Sequence, residues 1–242
     1  MLSGSAAFAG GDFGPPAPLG QMGQMSLALG YHYYTSDWKN DTPEIPVSEY
    51  IRNLFCLQFS YTFVDDWETY IRLGFADAKF KRAYPFDHRF DFKDGYKPSI
   101  GIGLRGLVRD GKWQIGPLFQ ANLYSSYDHL EEGEVDYECA SAKLTYEEIW
   151  DLALGACFGY DTGVATLSLA PYLYWSRAKT TLESTTEGET DTFTSDLEEK
   201  NVVGGMLSAL VPLGDGFNLN IETQYQSKFS FSISLTETFG GK

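Results

Sequence analysis

The chain is poor in the residues that mark several function classes. It has three cysteines in 242 residues, Cys56, Cys139 and Cys157. An odd number without a C-x-x-C pair builds no disulfide framework, and a thiolate metal site would need closer clustering with histidine. Histidine is equally sparse, with His32, His88 and His129. Basic residues are few: 18 Lys and Arg stand against 33 Asp and Glu, a net charge of −15. A chain this acidic carries no basic stripe and repels phosphate backbones, which excludes nucleic acid as a partner. Long apolar runs are missing too. No stretch approaches the roughly 18–20 residues that a membrane helix needs, and the mean hydropathy is −0.25. What the chain does have is aromatics, 16% of residues, with 16 Tyr, 17 Phe and 25 Gly. That is too aromatic for a disordered chain.

The first residues read Met-Leu-Ser-Gly-Ser-Ala-Ala-Phe-Ala-Gly-Gly. Ala7-Phe8-Ala9 fits the small-x-small pattern before a signal cleavage site, although a charged n-region and a full apolar h-region are missing. Pro15, Pro16 and Pro18 with nearby glycines then prevent a regular ladder. Residues 1–25 are expected to be a signal remnant and flexible leader, and 26–242 one folded domain.

From Ser26 onward the dominant period is two, which assigns alternate residues to opposite faces of a sheet. Leu27, Leu29, Tyr31 and Tyr33 alternate with Ala28, Gly30 and His32. Phe55, Leu57, Phe59, Tyr61 and Phe63 alternate with Leu54, Cys56, Gln58, Ser60 and Thr62. The same pattern recurs around Ile71 and Leu73, Ile102, Phe119, Leu152 and Leu154, Leu169, Ile221 and Phe231. Val203–Val211 is apolar on both parities, so its facing stays ambiguous. Connections alternate between short and long. Val64–Asp66, Asp110–Gly111, Asp161–Gly163 and Gly214–Gly216 are short; Asp-Gly suits a turn that needs positive φ. The long ones begin near Asp37, Lys81, Asp128 and Glu183, and the last two, about Asp128–Lys143 and Glu183–Glu199, are acidic. A final hairpin is expected near Gln226–Lys228.

This pattern predicts an all-β fold: a closed antiparallel up-and-down transmembrane β-barrel of about ten strands, with eight as the alternative. Lipid offers the backbone no hydrogen bonds, so only a closed sheet can present strands to it. One face is nearly all Leu, Ile, Phe, Tyr and Trp; the other is Gly, Ser, Thr, Asn and Gln with a few charges. A soluble barrel around a ligand would invert the two. Leu57, Phe59, Ile71, Leu73, Ile102, Leu152, Leu154 and Leu169 are expected to face lipid. An arginine at Leu73 is then expected to be costly, and a serine at Gly74 far less so. Phe63, Trp67, Trp113, Phe158, Tyr160 and Phe217 are expected in one interfacial aromatic girdle. Tyr33, Trp38, Tyr50, Phe80, Tyr96, Tyr127 and Trp175 are expected in the other.

Over nearly its whole length after residue 25 the chain resembles small bacterial outer-membrane β-barrel proteins. Its last strand, Phe229–Phe239, resembles the C-terminal signal that the barrel assembly machinery reads, although Gly240, Gly241 and Lys242 follow the terminal aromatic. The resemblance is to an architecture. It implies a Gram-negative outer membrane, with outer-membrane lipid and the assembly machinery as partners.

Within the polar parity six charges stand out: Arg52, Glu68, Arg72, Arg105, Asp151 and Glu222. Buried charges must pair or meet water. They are expected to form a network across the lumen, either filling it or lining a narrow selective path. Catalysis is not expected. His32 has Ser26 and Ser36 on its own parity and serines of the last strand across the closure, too loose a constellation for a hydrolase. His88, in Asp87-His88-Arg89-Phe90-Asp91, is a cation candidate better read as loop. The acidic loops carry hard oxygen ligands suited to divalent cations, but without EF-hand spacing, so no metal or cofactor is assigned. Lys79, Lys81, Arg82, Arg89, Lys93 and Lys97 surround the second long loop at a height suited to lipid phosphates. The leading expectation is a narrow, porin-like pore or a structural surface protein. The alternatives are an outer-membrane enzyme acting on lipid or peptide, and an adhesin or barrel that docks a partner through its acidic loops.

Overall fold

The computed structural model describes residues 20–40, 49–83, 90–135, 138–186, 189–200 and 202–240. The segment 1–19, most of the expected leader, and His88 lie outside the described residues. The strands are β1 (Met25–Ser36), β2 (Trp38–Asn40), β3 (Glu49–Val64), β4 (Trp67–Ala83), β5 (Phe90–Gly106), β6 (Val108–Asp110) and β7 (Trp113–Tyr124). Then come β8 (Tyr127–Val135), β9 (Glu138–Asp161), β10 (Thr166–Thr186), β11 (Glu189–Glu199), β12 (Val203–Gly214), β13 (Phe217–Tyr225) and β14 (Phe229–Phe239).

Ten of these close a ring in the order β10-β12-β13-β14-β1-β3-β4-β5-β7-β9, and β9 returns to β10. Every pairing is antiparallel. The seam between the chain ends is regular, from Met25↔Phe239 to Tyr33↔Phe231. The other four strands extend ring strands beyond the ring: β6 pairs β7, β8 pairs β9, β11 pairs β10 and β2 pairs β11.

The short connections lie at one end. Val64 pairs Trp67, Asp110 pairs Trp113, Thr166 pairs Asp161 and Gly214 pairs Phe217. Gly111 takes a φ of 59° in the Asp-Gly turn, the left-handed backbone that the dipeptide signalled. Met25 also pairs Tyr61, so the start of β1 and the end of β14 both sit at the short-turn end.

At the opposite end the acidic stretches depart from expectation. The described residues of 128–143 and 183–199 are not loops but continued ladders. Tyr127–Val135 pairs Glu138–Tyr146, and Arg177–Thr186 pairs Glu189–Glu198. The β10–β11 hairpin is rich in threonine, which favours extended backbone. Its Glu189 and Asp191 are exposed, so their acidity does not oppose the ladder. Cys139 therefore belongs to β9 rather than to a loop. The result is a sheet β8-β9-β10-β11 standing above the barrel. The β13–β14 hairpin, by contrast, ends low, with Tyr225 paired to Phe229. Above it β2 arches across to β11 through Trp38↔Glu199, Lys39↔Glu198 and Asn40↔Leu197.

The faces follow the alternation. Phe59, Ile71, Leu73, Ile102, Leu154 and Leu169 are about half exposed on the outer surface, and Leu57 and Leu152 somewhat less. The ambiguous β12 puts Gly204, Met206, Ser208 and Leu210 inside and Val203 and Leu207 outside. The lower girdle has Phe63, Trp113, Phe158, Tyr160 and Phe217 exposed. The upper girdle needs correction. Tyr96 and Trp175 are exposed, but Trp38, Tyr50, Phe80 and Tyr127 are buried inside. Tyr50 shares the parity of Arg52, and Phe80 that of Ala76 and Ala78. Period two sends them inward however well an aromatic suits an interface.

Candidate functional site

The interior is the candidate site, and it is built in layers. All six charged residues singled out in the sequence lie inside: Glu68, Arg52, Arg105, Asp151 and Glu222 are each 1% exposed, and Arg72 is 3%. Three cations and three carboxylates make the set neutral.

In the lower layer β4 and β5 lie side by side with Glu68 opposite Arg105, and the two form an ion pair. Tyr70, next along the inward row, lies between two guanidiniums. Its ring centroid is 5.3 Å from the Arg105 carbon and 5.4 Å from that of Arg72. Its hydroxyl donates to Gln120 at 3.0 Å. The ring packs onto Gly103, where an added Cβ would meet Tyr70 Cζ at 2.0 Å, so only glycine admits it. Arg72 donates to Gln58 Oε1 at 2.8 Å, and Glu222 accepts from Gln224. The described geometry thus joins Glu68 to Arg105, and both arginines share Tyr70.

The middle layer centres on Asp151. One carboxylate oxygen accepts from Arg52 at 3.3 Å, Tyr124 at 2.7 Å and Tyr174 at 3.1 Å; the other accepts from Asn122 at 2.5 Å. Arg52 is sandwiched as well, 4.1 Å from the Tyr124 ring and 4.7 Å from that of Tyr34. Such an enclosed pair is tolerable because the remaining lone pairs and the guanidinium faces have partners. These tyrosines and Asn122 were not singled out as site residues, although each stands on the polar parity of its strand.

Above this lies an aromatic cap. Phe80 and Tyr146 stack at 3.8 Å, Tyr50 is 4.7 Å from Phe80, and Trp38 is 4.9 Å from Tyr50. Tyr127 donates to the Ala76 carbonyl at 2.8 Å.

Beside the cap the β2–β11 arch is sewn to the hairpin beneath it. Glu199, in β11 above the membrane-spanning ring, accepts from Tyr34 and Ser227, each at 2.9 Å. The Asp37 amide donates to Ser227 at 2.9 Å, and Lys228 bridges Asp37 and Glu49, each at 3.0 Å. Burial pushes the Glu199 carboxyl up to about 7, against hydrogen bonds from Ser36, Tyr34 and Ser227 that favour its charged form.

The other candidates are dispersed. His32 is buried in the wall opposite Ser232, with its ring 6.1 Å from that of Tyr34. Lys79 pairs Asp77 at 2.9 Å, and Lys97 pairs Asp94 and Asp128 at 2.7 and 2.9 Å. The side chains of Lys81, Arg82, Arg89, Lys93 and His129 lie outside the described residues. Cys56 and Cys157 are buried, and neither is in a disulfide among the described residues. Among the described residues no group of three or more His, Cys, Asp or Glu gathers as a metal site.

No protein-family model matches the chain, and no curated protein does. Solved structures do. The translocator domain of the autotransporter NalP from Neisseria meningitidis is similar at a TM-score of 0.52 and 12% identity, over 92% of this chain and 90% of that one. The outer membrane protein OprG from Pseudomonas aeruginosa gives 0.47 and 12%, over 92% and 99%. At such identity the likeness is one of fold. The faces supply a separate argument: a closed ring that is apolar outside and polar inside is stable with lipid around it. The chain is a ten-stranded β-barrel of the bacterial outer-membrane type, with its apolar belt in that membrane.

Proposed function

We propose that this protein is a sealed outer-membrane barrel that holds a sheet at the cell surface for docking, rather than an open pore or an enzyme. The observation that carries this reading is the filled interior. A water-filled path needs lining side chains that water can reach, and at the middle layer Arg52, Asp151, Tyr34, Tyr50 and Tyr174 are all inaccessible. The stacked Phe80 and Tyr146 lie over them. Small barrels are commonly filled by side chains in this way. The depth of His32, in the wall and away from either mouth, supports a non-catalytic role. What extends beyond the ring is the sheet β8-β9-β10-β11, whose Glu189–Thr194 segment is exposed, and such a surface suits recognition of a macromolecule.

The test is solute flux. Liposomes carrying the folded protein should not swell in small sugars or amino acids any faster than empty ones. Swelling that scales with protein content and falls with solute size would replace this reading with the narrow pore.

A further inference from the structure

The sheet above the barrel ends on β11, and that edge is incompletely used. β11 is paired along one side to β10 from Glu189 to Glu198, and along the other to β2 only at Leu197–Glu199. From Glu189 to Thr194 every residue is exposed, and no strand among the described residues pairs its second side. Long flat edges invite another strand, and proteins usually blunt them with lysine, proline or a bulge. Here the six residues Glu-Thr-Asp-Thr-Phe-Thr contain none of these. Threonine hydroxyls tie the edge flat to its neighbour, Thr185 with Thr190 at 2.9 Å and Thr181 with Thr194 at 3.5 Å.

The chemistry of an occupant can be read from charge. The edge carries two exposed carboxylates, Glu189 and Asp191, and no basic residue; the other three of β11 are engaged within the chain, Asp196 with Arg177, Glu198 with Lys39 and Glu199 buried under the arch. A second copy of this chain would lay acidic strand against acidic strand, which opposes pairing. The chain's own segment that follows β2 carries Pro43 and Pro46. Three positions apart, they fall on opposite parities, so one of them interrupts any regular ladder built there. A complementary strand is therefore basic, extended and from another protein. Alternation divides its contacts. One face meets Thr190, Thr192 and Thr194; the other meets Glu189, Asp191 and Phe193, where basic side chains and one apolar side chain fit.

We propose that the Glu189–Thr194 edge of β11 binds a basic extended segment of a partner protein as an added β-strand. Main-chain hydrogen bonds would supply affinity and the carboxylates selectivity, the mode known as strand addition. This rests on the docking reading of the barrel.

The probe is a ten-residue peptide alternating Lys or Arg with Thr or Val, titrated by fluorescence anisotropy against the full chain in phosphatidylcholine nanodiscs. A second peptide has the same sequence with alternate amides N-methylated, which keeps the charge and removes one edge's donors. The first should bind saturably and the methylated one at least tenfold more weakly. The variant Glu189→Gln/Asp191→Asn should also lose tenfold, while deleting residues 41–48 should change little. Equal binding of both peptides would reduce the effect to charge and overturn the proposal. So would a tenfold gain on the deletion, because the chain's own segment would then be the occupant, or self-association that the peptide does not compete. Liposome swelling separates the two readings: a sealed barrel without peptide binding rejects only the strand addition, whereas a conducting barrel rejects the docking reading itself.

Discussion

Asp151 shows how a single residue is held by its surroundings. It accepts from Arg52, Tyr124, Tyr174 and Asn122 inside the barrel. Removing one member of a buried ion pair leaves the other uncompensated, at a cost of roughly 3–5 kcal/mol, whereas replacing both by apolar groups is often close to neutral. Asp151→Ala should therefore destabilise the barrel strongly in urea unfolding from lipid vesicles, and Arg52→Met/Asp151→Leu should recover most of the loss. A neutral Asp151→Ala would mean that water, not this pair, satisfies Arg52. On the outer face, Leu73→Arg should cost roughly 2–4 kcal/mol near the midplane in the same assay. At the neighbouring Gly74, parity suggests that a serine costs far less than an arginine at Leu73. An added Cβ would nevertheless lie 2.8 Å from the Phe55 carbonyl oxygen and 2.7 Å from Leu54 Cδ1. Gly74→Ser should thus lose measurable stability too, through crowding rather than polarity. Full tolerance would show that β3 and β4 can part at this point.

At the scale of elements, the arch of β2 over the β13–β14 hairpin is thinly supported, with three residue pairs to β11. Its clasp is Glu199, whose carboxyl sits at about 7 against an ordinary 4.5. An acid with a raised value binds its proton more tightly folded than unfolded, so the arch is favoured below about 4.5 and loses that advantage as pH rises to about 7. Asp37, Glu49 and Lys228 sit beside it, and the Asp37 charge adds to the upward shift. The protection of the β2 amides, taken relative to their intrinsic base-catalysed exchange rate, should fall between pH 5 and pH 8, and Glu199→Gln should flatten that profile. An unchanged profile in the variant would assign the effect elsewhere. The hairpins also give a topological expectation: protease added to intact cells should cut within Glu183–Glu199 and spare Asp161–Gly163. Cleavage at the short turns first would reverse the orientation. Much at this scale was legible, because period two and the Asp-Gly turns are local signals. The extended hairpins were not. A run such as Glu189–Glu199 reads as a charged loop when acidity is weighed above threonine spacing, although the ladder needs only the spacing.

For the whole molecule, the six inward charges were legible for one reason: each stands on the polar parity of a strand whose other parity is apolar. Their partners were harder to see. Asp151 meets Arg52 across 99 residues of sequence, and only closure of the ring brings β9 opposite β3. The cap was misread because Trp38, Tyr50, Phe80 and Tyr127 suit a girdle as well as a plug; strand register, not residue type, turns them inward. The central claim is that these layers seal the barrel, and planar-bilayer recording tests it most directly. The wild-type protein, inserted and verified as folded, should give no unitary steps above the bare membrane. Arg52→Ala/Tyr50→Ala, which removes one filling side chain from the middle layer and one from the cap, should give them. Steady ohmic steps from the wild type, with a preference for anions or cations, would contradict the account and make the same charges the lining of a pore.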